Sequence, residues 1–221
     1  MKWGIIAALD AELELILEAM EAESTLEAYG VRFHIGKIAG REVVAVRSNI
    51  GTINGAACAG VLVRELGAQS VVNIGASGST CDDLDILDVV VSNEVVFHDK
   101  YQPCQTSFPA DAGMIALAER SIAAMESRSF SYKVGRIATG DMFVGDLETK
   151  NDIIARVNPL CVEMEGAAIG QIAHMSGVPF LAIRSISDKS DGNAAVSFES
   201  FLGRAAANSA AILLGMMAID N

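Results

Sequence analysis

The sequence predicts an α/β fold in which helices wrap a central mixed, mostly parallel sheet, with residues 1–221 forming a single domain. Short apolar runs of strand length alternate with segments of helical period along the chain, which is typical of a sheet covered by helices. Twenty glycines and only four prolines suit a compact chain with tight turns. We find no repeat, low-complexity tract or linker-like stretch that would divide the chain.

The elements follow from these runs. A strand is expected at residues 3–8, and a helix begins at Asp10 with Leu13, Ile16, Leu17 and Met20 at helical spacing. The other strands are expected at residues 31–38, 43–48, 70–74, 89–97, 134–139, 160–164 and 180–187. The other helices are expected at residues 52–66, 112–125, 147–157, 166–175 and from about Phe198. A glycine-rich loop is expected at residues 75–79.

Composition excludes several classes of function. The formal net charge is −12 and the pI is near 4.6, so the protein's field repels phosphate backbones and anionic lipids. We therefore expect no nucleic-acid partner and no membrane-surface partner. The four cysteines are scattered without a C-x-x-C pair or clustered histidines, which favours free buried thiols over a zinc ribbon or a redox pair.

The ends of the sequence predict a soluble, cytoplasmic protein. Residues 1–4 lead directly into a strand without a signal-peptide pattern. The apolar stretch at residues 210–219 is well short of the ~20 residues that span a bilayer.

Chemistry is expected beyond the carboxyl ends of the strands, where open α/β sheets bind ligands. Glu12 follows the first strand and is one of six acids in residues 10–23. On a helical wheel Glu14, Glu18 and Glu21 lie on one flank of the apolar stripe, whereas Glu12 lies on the other. Glu12 also falls in the first turn, where the helix dipole favours an ionised carboxylate. It is either a functional base or part of a solvated helix face.

Acids also follow two later strands. Asp188 comes after an apolar strand and could be a buried general acid with a raised pKa, or a residue that caps a turn. Glu163 and Glu165 flank Met164 where a strand meets a helix, and charge compensation at the helix N-terminus would explain both. Phe143 could stack on a ring or fill the core.

These residues, taken in order, resemble a known family, the 5′-methylthioadenosine/S-adenosylhomocysteine nucleosidases of the purine nucleoside phosphorylase/hydrolase superfamily. The resemblance covers almost the whole chain. It rests on residues 4–12, 48–51, 75–78, 140–144 (Gly-Asp-x-Phe-Val), 162–165 (Val-Glu-Met-Glu), 184–188 (Arg-x-Ile-Ser-Asp) and 197–201 (Ser-Phe-Glu-x-Phe). It implies a nucleoside phosphorylase-like three-layer sandwich that cleaves the N-glycosidic bond of 5′-modified adenosines.

The resemblance also implies catalytic roles. Asp188 would donate a proton to purine N7, so that adenine leaves as a neutral base, and Glu12 would activate the attacking water. Arg184 and Ser187 would support the water and Asp188, respectively. An acid at the leaving group and a base at the water are the groups that glycosidic cleavage through an oxocarbenium-like state requires.

Substrate contacts are implied in the same way. Glu165 would hydrogen-bond the ribose hydroxyls while Met164 packs against the sugar. Phe143 would stack on adenine, and the Val144 backbone would read its edge. The expected substrate-binding set is completed by Ile50 and Gly78. No metal and no organic cofactor is expected, and the family pairs its subunits beside the active site, which implies a homodimer.

Two departures from the family pattern bear on specificity. Ala76 stands where the family often has Ser or Thr, although Ser77 is adjacent. The segment after His98 and Asp99 is shorter than the family's loop that walls the 5′-substituent pocket. The alternatives are a nucleosidase for another purine nucleoside, such as a futalosine-type substrate, and a non-catalytic nucleoside-binding module. Retention of Glu12, Glu165 and Asp188 favours the enzyme.

Overall fold

The computed structural model describes residues 1–99 and 107–219, which form ten strands and six helices. The strands are β1 Trp3–Ala7, β2 Glu21–Ala28, β3 Val31–Ile38, β4 Arg41–Arg47, β5 Ser70–Ser79, β6 Val89–Phe97, β7 Ser107–Pro109, β8 Tyr132–Thr139, β9 Cys161–Glu163 and β10 Phe180–Asp188. The helices are α1 Asp10–Glu18, α2 Thr52–Arg64, α3 Ala112–Ala123, α4 Leu147–Val157, α5 Gly166–Met175 and α6 Ala194–Ile219.

All ten strands belong to one sheet. Its order is β10-β6-β8-β9-β5-β1-β4-β3-β2, β7 pairs with β6, and β10 also pairs with β5. The second pairing of β10 closes β5, β9, β8, β6 and β10 into a ring of five strands, and β1, β4, β3 and β2 extend from it. β5 and β10 run parallel to each other, whereas β9 meets the end of β5 antiparallel.

Helices cover both faces of the sheet because its strands alternate their apolar side chains between two cores. In β1, Trp3, Ile5 and Ala7 face the core under α1, α3 and α6, whereas Ile6 faces the core under α2 and α5. The period of two places successive side chains on opposite faces. The α/β class, the mixed sheet and the three layers are therefore confirmed.

Three sequence expectations about strands were wrong. Residues 75–79 are the end of β5, not a loop, because this stretch pairs with β10 and β9. β2 was missed because its residues are polar and largely exposed; it is the outer strand of a hairpin turned by Tyr29 and Gly30, both with positive φ. The short strand β7 was also missed. Five of the ten pairings between described strands are parallel and five are antiparallel, so the sheet is mixed.

Four helix boundaries also differ. α2 and α3 each end two residues earlier than expected, at Arg64 and Ala123. α1 ends at Glu18, so Met20 lies beyond it, and Glu21 belongs to β2. α6 begins at Ala194, ahead of the expected Phe198, and has 26 residues. It is long and apolar enough by composition to cross a membrane, unlike the shorter stretch read from the sequence. Its inward side chains, including Leu213 and Met216, lie in the core beside the sheet.

Candidate active site

A cavity of about 310 Å³ lies where the C-terminal halves of β5 and β10 meet β9. All ten residues that the sequence selected line it: Glu12, Ile50, Gly78, Phe143, Val144, Met164, Glu165, Arg184, Ser187 and Asp188. The structure thus brings together residues that lie up to 176 positions apart in the chain. Their individual roles stay predictions.

Glu12 lies at the floor of the cavity, buried at the first turn of α1. Its Oε2 accepts hydrogen bonds from the backbone N–H groups of Ala8 and Leu9 at 2.9 and 3.0 Å, and Oε1 accepts one from Ala76 N at 2.8 Å. Burial raises the pKa of Glu12, while Arg184 and the three N–H donors oppose that shift. Oε1 keeps one lone pair for a further donor such as water. The exposed neighbour Glu14 has no such environment.

Arg184 is fully buried and joins the acids of the site. Its Nη2 donates to Asn73 Oδ1 and Glu163 Oε2, and more loosely to Glu165 Oε2 at 3.3 Å. Its Nη1 donates to Ala76 O at 3.3 Å. Burial alone would lower the pKa of Arg184, but Glu163, Glu165 and Glu12 outweigh that effect and raise it. A permanent cation therefore sits among three carboxyl groups.

Glu163 and Glu165 differ in what they bind. Glu163 Oε2 accepts the N–H groups of Glu165 and Gly166 at 3.0 and 2.8 Å, so it caps the N-terminus of α5. Glu165 directs Oε1 across the site to Gly51 N at 2.8 Å. Burial raises the pKa of Glu165 to about 7, with Arg184 opposing. Glu165 thus titrates near neutrality.

Asp188 lies at the end of β10, next to a β-bulge. Ile186 pairs with Ser77 and Asp188 pairs with Gly78, so Ser187 is the extra residue on β10. The bulge breaks the usual alternation and lets adjacent side chains, Ser187 and Asp188, line the same cavity. Asp188 Oδ2 accepts the Ser187 hydroxyl at 2.9 Å.

The other oxygen of Asp188, Oδ1, accepts Ser190 N at 2.8 Å. Burial raises the pKa of Asp188, and the hydrogen bonds from Ser190 and Ser187 oppose the shift. A buried carboxyl group with a raised pKa is suited to donate a proton near neutral pH.

Two glycines of β5 make room for these groups. A Cβ on Gly75 would lie 2.6 Å from both Arg184 Nη1 and Glu12 Oε1. A Cβ on Gly78 would lie 2.2 Å from Ser190 Oγ and 2.8 Å from Asp188 Oδ1. Real Cβ atoms do not come so close, so the backbone of β5 must be bare at both points for the acid and the base to face one cavity.

The opposite wall of the cavity is apolar. Phe143 is half-exposed and meets Phe198 edge-to-face, with ring centroids 6.0 Å apart. Met164, Val144 and Ile50 complete this wall. A flat aromatic ligand in this cavity would have both the Phe143 ring and the Asp188 carboxyl group in its lining.

Sequence reasoning missed several residues of the site. Ser190 and Phe198 line the cavity, and Asn73 binds Arg184. The Ser-Phe-Glu-x-Phe segment was a signal for Phe198, whereas nothing local singled out Asn73 inside β5. Within residues 1–99 and 107–219 we find no cluster of three or more His, Cys, Asp and Glu side chains arranged to hold a metal.

The two departures from the family pattern were Ala76, with Ser77 beside it, and the shortened segment after Asp99. Ala76 contributes its backbone, which binds both Glu12 and Arg184. Ser77 lines the cavity beside it, and its hydroxyl has no hydrogen-bond partner among the described residues. Most of the shortened segment, residues 100–106 with Cys104, lies outside the described residues.

Comparison with known proteins decides the family. The phosphorylase superfamily model matches residues 2–218. The 5′-methylthioadenosine/S-adenosylhomocysteine nucleosidase of Aeromonas salmonicida is 37% identical over 98% of this chain and 99% of its own length. The chain belongs to this nucleosidase family.

Solved structures of the nucleosidase family share the whole fold. The enzyme from Neisseria meningitidis, in complex with methylthio-immucillin-A, aligns with a TM-score of 0.93 at 31% identity and 98% coverage of both chains. The enzyme from Streptococcus pneumoniae, with a transition-state inhibitor, aligns with a TM-score of 0.92 at 30% identity over the full length of both. The family resemblance expected from the motifs is confirmed.

Proposed function

We propose that this protein hydrolyses the N-glycosidic bond of 5′-modified adenosines, namely 5′-methylthioadenosine, S-adenosylhomocysteine and 5′-deoxyadenosine. The observation that carries this function is one cavity lined by a buried acid, Asp188, a buried base, Glu12, and a third buried carboxyl group, Glu165. The products are adenine and the free sugar derivative. The names of its relatives include the first two of these substrates, 5′-methylthioadenosine and S-adenosylhomocysteine.

Asp188 is the general acid. Burial raises its pKa and so favours the protonated form, and it gives its proton to purine N7. Adenine then leaves as a neutral base, which lowers the barrier to breaking the glycosidic bond. General acid catalysis of this kind contributes about 10²–10⁴-fold.

Glu12 activates the attacking water, and Arg184 positions Glu12. The free lone pair of Glu12 Oε1 accepts a proton from a water molecule in the cavity, and a raised pKa makes Glu12 a stronger base than an exposed glutamate. Arg184 Nη1 donates to the carbonyl of Ala76, the residue whose N–H binds Glu12 Oε1, and so helps to fix the position of the base.

The same carboxylates stabilise the sugar. As the bond breaks, the ribose acquires oxocarbenium character, and a low-dielectric cavity strengthens its attraction to Glu12 and Glu165. Glu165 Oε2 accepts the ribose hydroxyls, and Met164 packs on the sugar face. Phe143 stacks on the adenine, Val144 meets its edge, and Ile50 and Gly78 complete the contacts.

Water rather than phosphate is the nucleophile. Arg184 is the one cation among the described lining residues, and its Nη2 group already binds Glu163, Glu165 and Asn73. A phosphate dianion would also meet Glu12, with a repulsion of about 4 kcal/mol at ~4 Å and an effective dielectric near 20. Turnover in phosphate-free buffer with free sugar as product supports hydrolysis; strict phosphate dependence and a pentose 1-phosphate product would exclude it.

The working form is a homodimer in the cytoplasm. Apolar side chains are exposed at and near the mouth of the cavity, including Ile50, Ile53, Met142, Phe143 and Leu147, and such patches favour a protein partner. Light scattering after size-exclusion chromatography at micromolar concentration tests this, and a monomer there contradicts the dimer. The free thiols Cys58, Cys81 and Cys161 suit a reducing compartment.

The deciding experiment uses chromatography to measure the release of adenine from 5′-methylthioadenosine. The same assay is run with S-adenosylhomocysteine, 5′-deoxyadenosine and a futalosine-type nucleoside. Preference for the futalosine-type nucleoside would change the assigned substrate but not the fold. Binding of every nucleoside without release of any base would make the protein a nucleoside-binding module and exclude the enzyme.

A further inference from the structure

We propose that Asp141 is a positioning residue for Glu165: its carboxylate holds the N-terminus of α2, which keeps the Gly51 N–H on the Glu165 side chain. The inference rests on the proposed role of Glu165 in binding the ribose hydroxyls. It gives a function to the acid of the Gly-Asp-x-Phe-Val segment, which the proposed chemistry does not use.

Two carboxylates from different parts of the chain bind two successive N–H groups. Gly51 N donates to Glu165 Oε1 at 2.8 Å, and Thr52 N donates to Asp141 Oδ1 at 2.7 Å. Asp141 Oδ2 also accepts the Thr52 hydroxyl at 2.5 Å. The two N–H groups belong to successive peptide units that meet at the Gly51 Cα, where α2 begins, so fixing the Thr52 peptide restrains the position of the Gly51 N–H.

Gly51 caps α2 without a side chain of its own that could accept a hydrogen bond. Asp141 therefore supplies, from another loop, the acceptor that a serine or aspartate at the cap would normally supply. A carboxylate at this end of a helix is also favoured by the helix dipole. Asp141 is thus the tertiary cap of α2.

The loop that carries Asp141 is itself fixed to the sheet. Gly140 N donates to the carbonyl of Glu163 at 3.1 Å, and Asp141 N donates to Asp99 Oδ2 at 2.9 Å. Asp99 follows β6 and Glu163 ends β9, so the cap connects α2 to two strands of the five-strand ring. The same loop continues to Phe143 at the adenine wall.

The Gly51 hydrogen bond matters because Glu165 titrates near neutrality. Burial raises its pKa to about 7, and the Gly51 N–H is one of the groups that oppose the shift. A hydrogen bond to the charged form of a carboxylate favours that form. If Gly51 moves away, more of Glu165 is protonated at pH 7 and fewer of its lone pairs remain for the ribose hydroxyls.

The test is Asp141→Asn, which keeps the size of the side chain and removes its charge and one acceptor. We expect KM for 5′-methylthioadenosine at pH 7 to rise about tenfold, the size of effect that loss of a charge-assisted hydrogen bond produces, while kcat changes less. The acidic limb of the kcat/KM profile moves to higher pH. The inhibition constant of free adenine, which has no ribose, stays within twofold.

A matched control lies at the other end of the same loop. Asp146 caps α4 by accepting Thr149 N and the Thr149 hydroxyl, both at 2.8 Å, but it has no connection to Glu165 among the described contacts. Asp146→Asn should lower thermal stability by a similar amount and leave KM and its pH profile unchanged.

A milder pair of variants guards against a folding defect. Thr52→Val removes the hydroxyl and keeps the backbone N–H, so it should shift KM and the pH profile in the same direction by less; Thr52→Ser should restore both. If Asp141→Asn and Thr52→Val behave like Asp146→Asn, with lower thermal stability but an unchanged KM and pH profile, the inference is wrong. The proposed function is unaffected by that result as long as the wild type releases adenine. If the wild type releases no adenine, the function fails instead.

Discussion

The Ser187 hydroxyl lies 2.9 Å from Asp188 Oδ2 and 3.2 Å from the carbonyl oxygen of Ser77. Its single proton can serve only one of these acceptors at a time. While Asp188 is ionised, the hydroxyl donates to it. When Oδ2 is protonated, the hydroxyl can accept from Asp188 and donate to Ser77. Ser187 therefore fits both protonation states through which a general acid passes.

Ser187→Ala should move the basic limb of the kcat/KM profile to higher pH. The hydroxyl's bond to the ionised carboxylate lowers the pKa of Asp188, so its loss raises that pKa further and keeps Asp188 protonated longer. Ser185→Ala is the control on the same strand, because the Ser185 hydroxyl binds Leu87 O. A limb that moves to lower pH, or that moves equally in the control, would contradict this.

Asp188→Asn should lower kcat by about 10²–10⁴-fold and leave the dissociation constant for substrate largely unchanged. The amide has the shape of the acid but cannot give N7 a proton. Single-turnover adenine release and equilibrium binding measure the two effects separately. Asp152→Asn is the control, because it removes the charge of an exposed acid that pairs with Arg156 and does not line the cavity. Turnover of the Asp188 variant within threefold of wild type would make this acid a turn residue.

Glu12→Gln should abolish turnover to a similar extent, whereas Glu14→Gln should not. Glu12 accepts hydrogen bonds from three N–H donors. Glutamine would place its own NH₂ group against at least one of these donors, which should also lower the melting temperature. Glu14 is exposed two residues away on the same helix, which makes it the matched control for loss of a charge. A larger loss of activity in the Glu14 variant would be incompatible with the proposed base.

The free energy of unfolding should fall as the pH rises from about 4.5 to 7. Burial raises the pKa of Glu165 from 4.5 to about 7, so the folded state binds more protons in that range than the unfolded state. The sign of the linkage then makes stability decrease with pH, by about 3 kcal/mol for this group. The raised pKa values of Glu12 and Asp188 act in the same direction.

Urea unfolding at pH 5, 6, 7 and 8 measures this slope. Glu165→Gln should make the slope shallower, because the variant has no group that titrates there. Glu42→Gln changes an exposed residue of β4 and should keep the wild-type slope. Equal slopes for all three proteins would mean that Glu165 titrates normally.

The sequence predicted the site better than it predicted the sheet. The helical wheel separated Glu12 from Glu14, and the structure shows one buried and the other exposed. Ends of parallel strands meet at one edge, which is why Glu12 after β1 and Asp188 on β10 could be expected near each other. Motif order supplied the remaining candidates.

Other contacts could not be read from the chain because they depend on its tertiary arrangement. Glu163 reaches Arg184 because β9 pairs antiparallel with the end of β5, an arrangement that alternating strands and helices do not predict. The bulge at Ser187 depends on the partner strand. The role of Ala76 rests on its backbone, which no side-chain pattern reveals.

The ring of five strands affects how the site responds to partial unfolding. Ala76, Glu163 and Arg184 all lie on strands that have a neighbour on each side, so none can fray outward as the edge strand β2 can. Loosening one of them requires breaking two ladders of backbone hydrogen bonds at once. We therefore expect these three groups to keep their arrangement up to the temperature at which the sheet itself melts.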